Sequence, residues 1–326
     1  MQMAWGYTAP LIIEAALKTG VFDILDKGPR TLDELVARTG ASARGLRGIL
    51  DALVGLEFAQ KKGNRYSLTP ESSAFLVSKK PGYHGGFFKH MSGQLIPNWL
   101  RLNEAVQTGK PVVKVNDSGD GEEFFAELVT ALFPLGYKAS QVLGENLGVP
   151  KTKSPVSVLD LGAGSGVWGI GLAHLSPLVT IRAVDWPGVL EVTKQTARFH
   201  GVEERLTTAA GDLLEAEFGA NHNIATIGHI LHSEGIERSR KLLKKTFDSL
   251  APGGTIAIAE FLPNEKRTGP PTPLIFAVNM LLHTEVGDTY TFGEIAGWLR
   301  EAGFVKPRLL EAPSPSPLIL ATRPGR

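Results

Sequence analysis

The sequence contains no cysteine. That excludes disulfides, a thiol nucleophile and a cysteine-ligated metal, and it suits a reducing cytoplasm, where the protein is expected. There is no long apolar run. Glu14 and Lys18 interrupt the hydrophobic residues near the N-terminus, so neither a secretion signal nor a membrane span is expected. There is no excess of either charge: 34 Lys and Arg face 33 Asp and Glu, a net charge of +1. No basic run stands out, which argues against nucleic acid and against an anionic membrane surface. Repeats are absent too, and the only low-complexity tract is the short turn APSPSP before Leu318. What is present is ordinary for a folded chain of one large or two ordinary domains: 326 residues, 43% hydrophobic and 21% charged.

The most informative stretch is Val156–Ala173, VSVLDLGAGSGVWGIGLA. Val156–Leu161 has the composition of a fully buried strand. Glycine then takes every second position, at Gly162, Gly164 and Gly166, and a helix-compatible apolar run starts at Val167. In a strand, glycine turn and helix start of this kind, backbone N–H groups face a ligand with no Cβ in the way. Gly164-x-Gly166-x-x-Gly169 also satisfies the dinucleotide fingerprint, a weak signal when it stands alone. Asp160 argues against that ligand, because it would repel a pyrophosphate and welcome a cationic amino-acid group. The next strand, Val179–Val184, leads to Asp185, placed for ribose hydroxyls. A third leads to Gly211-Asp212-Leu213, a carboxylate beside an apolar residue, suited to the amine and the face of adenine. Each Asp alone would serve equally as a cap or turn residue. Three in order behind the glycine turn resemble the S-adenosylmethionine site of class I methyltransferases.

The preceding segment has a different character. Pro10–Lys18 reads as a helix stopped by Gly20. Thr31-Leu-Asp-Glu34 is a capping box opening a helix that ends near Gly40, and Ser42 opens another, apolar on most faces. Phe58–Leu68 reads as two strands around Gly63-Asn64. Helix, helix and hairpin make a winged-helix arrangement. Arg44, Arg47, Lys61 and Lys62 would suit phosphates, but the second helix is too apolar to lie in a groove. The segment is therefore expected to be a homodimer interface rather than a DNA reader. Residues from Pro81 to Phe133 read as broken helix and carry Phe87, Phe88, His90, Trp99, Phe124, Phe125 and Phe133. These aromatics, Trp99 and Phe133 among them, are expected to roof a pocket for a small-molecule acceptor, although packing between elements would account for each one as well. The stretch from Gly109 to Gly121 reads as an exposed loop.

From Val156 strands and helices alternate. Strands are expected at Val156–Leu161, Val179–Val184, Leu206–Ala210, Ile224–Leu231 and Thr255–Phe261, with helices at Val189–His200 and Ile236–Leu250. A capping box at Thr291–Glu294 opens Phe292–Ala302, and Arg308–Glu311 and Leu318–Ala321 complete the sheet. This predicts an α/β, doubly wound, Rossmann-like fold with ligands at the carboxyl ends of its strands. The expected domains are 1–85, mostly helical and winged-helix-like, and 86–326, made of a helical segment 86–150 and an α/β core 151–326.

With both halves in view, the chain resembles the small-molecule O-methyltransferases related to plant caffeate and bacterial polyketide O-methyltransferases. The motifs that carry the likeness are the Asp160–Gly166 turn, Asp185-Trp-Pro-Gly-Val189, Gly211-Asp212-Leu213, Leu250-Ala-Pro-Gly-Gly254, and Ala259-Glu260 with Pro263. The resemblance implies S-adenosylmethionine as cofactor, held by Asp160, Gly162, Gly164, Asp185, Trp186, Asp212, Leu213 and Gly228. It implies a homodimer formed through the N-terminal domain, a role in secondary metabolism, and no metal. In the segment His229-Ile-Leu-His232-Ser-Glu-Gly, His232 falls on the family's general base, and Glu260 on the residue that orients it. His229 alternates to the opposite strand face from His232. Asn279, Met280 and His283 fit acceptor-pocket positions. The sequence departs from the family at Ser233 and Glu234, in place of Asp-Trp, at Gly228, where plant members commonly carry Lys, and at Thr289, in place of a second carboxylate. The alternatives are C- or N-methylation in the same fold without a base, a relative that keeps the cofactor but catalyses another reaction, a nicotinamide oxidoreductase, and a ligand-sensing winged-helix regulator.

Overall fold

The structure, a computed structural model, describes residues 3–80, 82–115 and 120–325, with the backbone alone for 3 and 120–127. The chain divides into two compact units, residues 1–97 and 98–326. Part of the loop expected before Gly121, and the side chains of Phe124 and Phe125, lie outside the described residues.

In the first unit the two capped helices form as their sequences dictate. Thr31 accepts from the Glu34 amide while Glu34 accepts from the Thr31 amide, and the helix Leu32–Thr39 ends on Gly40 at φ +70°. Ser42 caps Ala43–Gly55. That helix buries Leu46, Leu50 and Leu53 on one stripe and leaves Arg44 and Arg47 exposed. The strands β1 (Arg30–Thr31), β2 (Ala59–Lys62) and β3 (Arg65–Leu68) form a small antiparallel sheet in the order β1-β3-β2. Gly63, at φ +60°, makes the hairpin turn. β1 has two residues, too few for a periodic signal in the sequence.

The second unit carries a seven-stranded sheet of β4 (Val156–Leu161), β5 (Val179–Asp185), β6 (Leu206–Ala210), β7 (His222–Gly228), β8 (Leu250–Ala259), β9 (Val305–Leu310) and β10 (Leu318–Thr322). The order is β6-β5-β4-β7-β8-β10-β9. The first five strands are parallel, and β10 runs antiparallel to β8 and β9. Both faces are covered. Val158, Ile181, Ile224, Ala257 and Leu320 face one core, and Leu159, Val184, Ile227, Ile258 and Ile319 the other. Burial on both sides explains the continuous rather than alternating apolar runs. The strand order reverses beside β4, so the crevice lies at the carboxyl ends of β4, β5 and β7.

Several expected boundaries change. β7 stops at Gly228 instead of Leu231, because His229 adopts φ +60° and leaves the extended region. Leu231 then begins a helix that runs to Ser249, interrupted at Gly235 (φ 74°, ψ 170°). β8 begins at Leu250, so Pro252-Gly253-Gly254 lies within a strand, with a register shift opposite His222–Ile224. A helix at Pro271–His283 was not expected at all.

Candidate active site

The glycine turn is built by charge as much as by backbone freedom. Gly162, Gly164 and Gly166 have φ of +59°, +55° and +77°. A Cβ on Gly162 would lie 2.3 Å from Ile230 Cδ1. The Gly164 amide donates to Asp185 Oδ2 at 2.8 Å, and Thr193 Oγ1 donates to the Gly164 carbonyl at 2.6 Å. An anion therefore already occupies the turn amide that a dinucleotide diphosphate would claim. The donor set fits a ligand with a cationic or neutral tail instead, as S-adenosylmethionine has, and disfavours a diphosphate.

The three expected carboxylates differ in what they can reach. Asp160 is fully buried. Its Oδ2 accepts from the Gly169 amide at 3.0 Å and its Oδ1 from Thr226 Oγ1 at 2.7 Å. Burial pushes its carboxyl up to about 7, against the two hydrogen bonds that favour the ionised form. The side chain thus ties the helix after the turn to β7. Asp185 is half-buried at the end of β5 and also accepts from the Trp186 amide at 2.7 Å. Asp212 is half-buried too, accepting from the Leu214 amide at 2.8 Å and from Arg238 Nη2 at 2.6 Å. Arg238 Nε in turn meets Glu234 Oε2 at 2.6 Å. Lys245 Nζ donates to the carbonyls of Leu213, Leu214 and Ala216 and so fixes the turn that presents Asp212 and Leu213. Glu234 thus stands in an ion-pair chain where the family resemblance implied an aromatic. Burial raises its pKa while Arg238 opposes the rise. At Gly228, where plant members commonly carry Lys, a Cβ would lie 2.1 Å from Trp168 Nε1.

His232 lies in the first helical turn after β7. Its ring Nδ1 is 2.8 Å from Glu260 Oε2, and its backbone amide donates to Glu260 Oε1 at 3.3 Å. Both side chains are buried, His232 at 8% and Glu260 at 2% exposure. Burial alone would raise the Glu260 carboxyl, but the His232 charge and hydrogen bonds hold it below its ordinary value. A carboxylate on Nδ1 assigns the proton of the neutral ring to that nitrogen and leaves Nε2 as the basic lone pair. Phe276 packs edge-on against the ring at 4.8 Å, and Phe261 lies 6.5 Å away. Thr289 is buried and donates to the Pro273 carbonyl at 3.1 Å, so it brings no second charge.

His229 does not lie on the opposite face. Strand alternation fails one residue early, and its ring comes to 6.3 Å from His232 and 5.0 Å from Phe261. Its Nε2 meets Ser316 Oγ at 2.9 Å, and burial lowers its pKa to about 4, so the ring is neutral near pH 7.

Among the expected acceptor-pocket residues, Trp99, Asn279 and His283 come together. Trp99 Nε1 donates to Asn279 Oδ1 at 3.2 Å, His283 Nδ1 lies 2.8 Å from the Asn279 carbonyl, and Asn98 Nδ2 lies 3.0 Å from His283 Nε2. Met280, on the same helix, is buried at 5% exposure. Phe133 does not join them. It is buried and stacks on His200 at 4.5 Å and on Tyr137 at 5.5 Å, so it serves the packing between helices. Sequence reasoning missed Thr193, Arg238, Lys245, Phe261 and Phe276, each of which has a partner distant in sequence.

Comparison with known proteins gives the family. Residues 1–78 match the O-methyltransferase dimerisation domain and residues 104–305 the O-methyltransferase domain. The chain is similar to the 3-hydroxy-5-methyl-1-naphthoate 3-O-methyltransferase of Streptomyces sahachiroi, 29% identical over 96% of this chain and 91% of the relative. It is similar to the tetracenomycin polyketide synthesis 8-O-methyltransferase of Streptomyces glaucescens, 26% identical over 99% and 96%. Among solved structures it resembles human N-acetylserotonin methyltransferase in complex with S-adenosylmethionine, with a TM-score of 0.86, 26% identity and coverage of 100% and 96%. Glycine turn, strand-end carboxylates, histidine–glutamate pair and both domain matches agree, and the chain belongs to the O-methyltransferase family.

Proposed function

We propose that this methyltransferase moves a methyl group from S-adenosylmethionine to a hydroxyl of a small aromatic or polyketide-like metabolite, with His232 as general base. What carries the reading is the 2.8 Å contact between His232 Nδ1 and Glu260, which leaves Nε2 among Phe261 and Phe276. The cofactor, when bound, supplies a methyl group already activated by its sulfonium. Gly162 and Gly164 leave room for its amino-acid portion, Asp185 and Trp186 take the ribose, Asp212 and Leu213 the adenine, and Gly228 borders the site. Asp160 supports them from beneath by holding the turn. His232 takes the hydroxyl proton at Nε2, and Glu260 holds the tautomer and stabilises the imidazolium as it forms. Trp99, Asn279 and His283 line the acceptor side. The first 85 residues join two copies into a homodimer.

His232→Ala tests the base. Turnover should fall by roughly 10²–10⁴-fold, while calorimetry shows cofactor affinity within about twofold of the parent. Full turnover in that variant would remove His232 from the mechanism, and product mass spectra showing methyl on carbon or nitrogen would remove the hydroxyl acceptor.

A further inference from the structure

The geometry points to an acceptor that carries an uncharged carbonyl group as well as its hydroxyl, with Asn279 as the residue that selects for it. This rests on the acceptor site proposed above and adds the class of molecule that fills it.

The argument starts from a donor that cannot accept. An indole N–H only donates, so the 3.2 Å contact from Trp99 Nε1 fixes the orientation of the Asn279 amide with Oδ1 toward Trp99. The two N–H groups on Nδ2 must then point the other way. Among the described residues nothing accepts from them. The backbone of Asn279 is pinned as well, since its carbonyl accepts from the His283 ring. That bond puts the proton on Nδ1 and leaves Nε2 to accept from Asn98. Burial lowers the His283 pKa, in keeping with a neutral ring. The result is a pre-oriented amide with two committed contacts and two uncommitted donors.

Asn279 lies three residues beyond Phe276 on the helix Pro271–His283, so both side chains share one face. Phe276 is the ring that packs against His232. The uncommitted donors therefore lie about 4.5 Å further along the helix axis than the ring touching the base. A flat acceptor lying on Phe276, hydroxyl toward His232, would present its far edge to Asn279. That edge must accept hydrogen bonds, because an apolar edge would leave both amide donors buried without partners.

Charge decides which acceptor group. Among the described residues, the side chains linked to His232 and Asn279 are Phe261, Phe276, Trp99, Asn98 and the neutral His229 and His283. Glu260, the one carboxylate in this described set, is spent on His232. Arg101 and Lys114, the cations of flanking segments, pair with Glu104 and Glu285 at the surface. A carboxylate on the acceptor would be desolvated without a counter-charge, whereas a ketone or quinone oxygen needs only the amide.

The test uses 6-acetyl-2-naphthol and 6-ethyl-2-naphthol, alike in shape and differing in the carbonyl. The parent enzyme should prefer the ketone at least tenfold in kcat/KM, with the difference in KM. Asn279→Asp keeps an oxygen for Trp99 but has no N–H to offer. It should erase the preference, the ketone losing at least tenfold more in kcat/KM than the ethyl compound. Trp99→Phe, which frees the amide to turn, should reduce the preference with the fold intact by circular dichroism. No preference in the parent, turnover of neither compound, or equal losses on both in Asn279→Asp would each overturn the proposal. His232→Ala separates this from the base assignment: with S-adenosylhomocysteine present, calorimetry should still show tighter binding of the ketone even where turnover is lost.

Discussion

Asp160, fully buried, and His229, half-buried, are titratable groups beside the site, and they pull stability in opposite directions. The Asp160 carboxyl is raised to about 7, against an unfolded value near 3.9. Between roughly pH 4 and 7 the folded state therefore holds a proton that the unfolded chain has released, and stability falls as pH rises through that window. Asp160→Asn removes the effect. In urea titrations the variant should gain on the parent from pH 4 to pH 8, by about 4 kcal/mol at most; parallel curves would refute this. His229 is pushed down to about 4 by burial, below the roughly 6.5 of an unfolded histidine. Its contribution is complete above about pH 6.5 and is lost as pH falls toward 4. His229→Gln should flatten the acid limb of the same titration. The sequence made Asp160 visible through its place ahead of the glycines, but not that its oxygens face inward. That depends on Thr226, 66 residues away, which meets Asp160 only because β7 pairs with β4.

At the scale of the element, the segment Gly228–Ser249 decides where His232 points. A continuous strand through Leu231 would have carried His229 and His232 to opposite faces. The left-handed residue at His229 and the break at Gly235 fold the segment so that both rings line one site. Gly235 occupies a region open only to glycine, and a Cβ there would lie 2.6 Å from Val286 Cγ2 and 3.2 Å from the Val286 carbonyl. Gly235→Ala should cost roughly 2–3 kcal/mol, read as a lower urea midpoint, and should depress turnover because this turn follows the proposed base. Unchanged stability would show that the break is soft. The helix Pro271–His283, which supplies Phe276 and Asn279, escaped the sequence for an identifiable reason. Pro270, Pro271 and Pro273 read as breakers, yet in a first helical turn the missing N–H costs nothing.

At the scale of the molecule, the proposed homodimer makes the simplest prediction. The first unit leaves Trp5 and Tyr7 about 60% exposed (60% and 59%) at its N-terminal end. Light scattering should give about twice the 35.0 kDa chain mass, and the pair Trp5→Ser, Tyr7→Ser should shift the population toward monomer. A parent chain that runs as a monomer at micromolar concentration would defeat the assignment. The sheet order was within reach of the sequence, because alternating strands and helices with right-handed crossovers leave few topologies. The contacts among the proposed acceptor residues were not within reach: Trp99 and His283 both bond to Asn279, and Phe133 stacks on His200.

Local patterning determined the two capped helices, the hairpin, the glycine turn and the carboxylate after each of the first parallel strands. Those features depend on neighbours within a few residues, where spacing and backbone preference act directly. Tertiary structure alone decided that Asp160 braces instead of facing outward, that Arg238 and Lys245 hold the Asp212 turn, that His229 joins His232, and that Trp99 orients Asn279. Apart from His229 and His232, three residues apart and turned together by the left-handed backbone at His229, each rests on a contact between groups 26 or more residues apart, and which groups meet at such distances is set by strand pairing and helix packing.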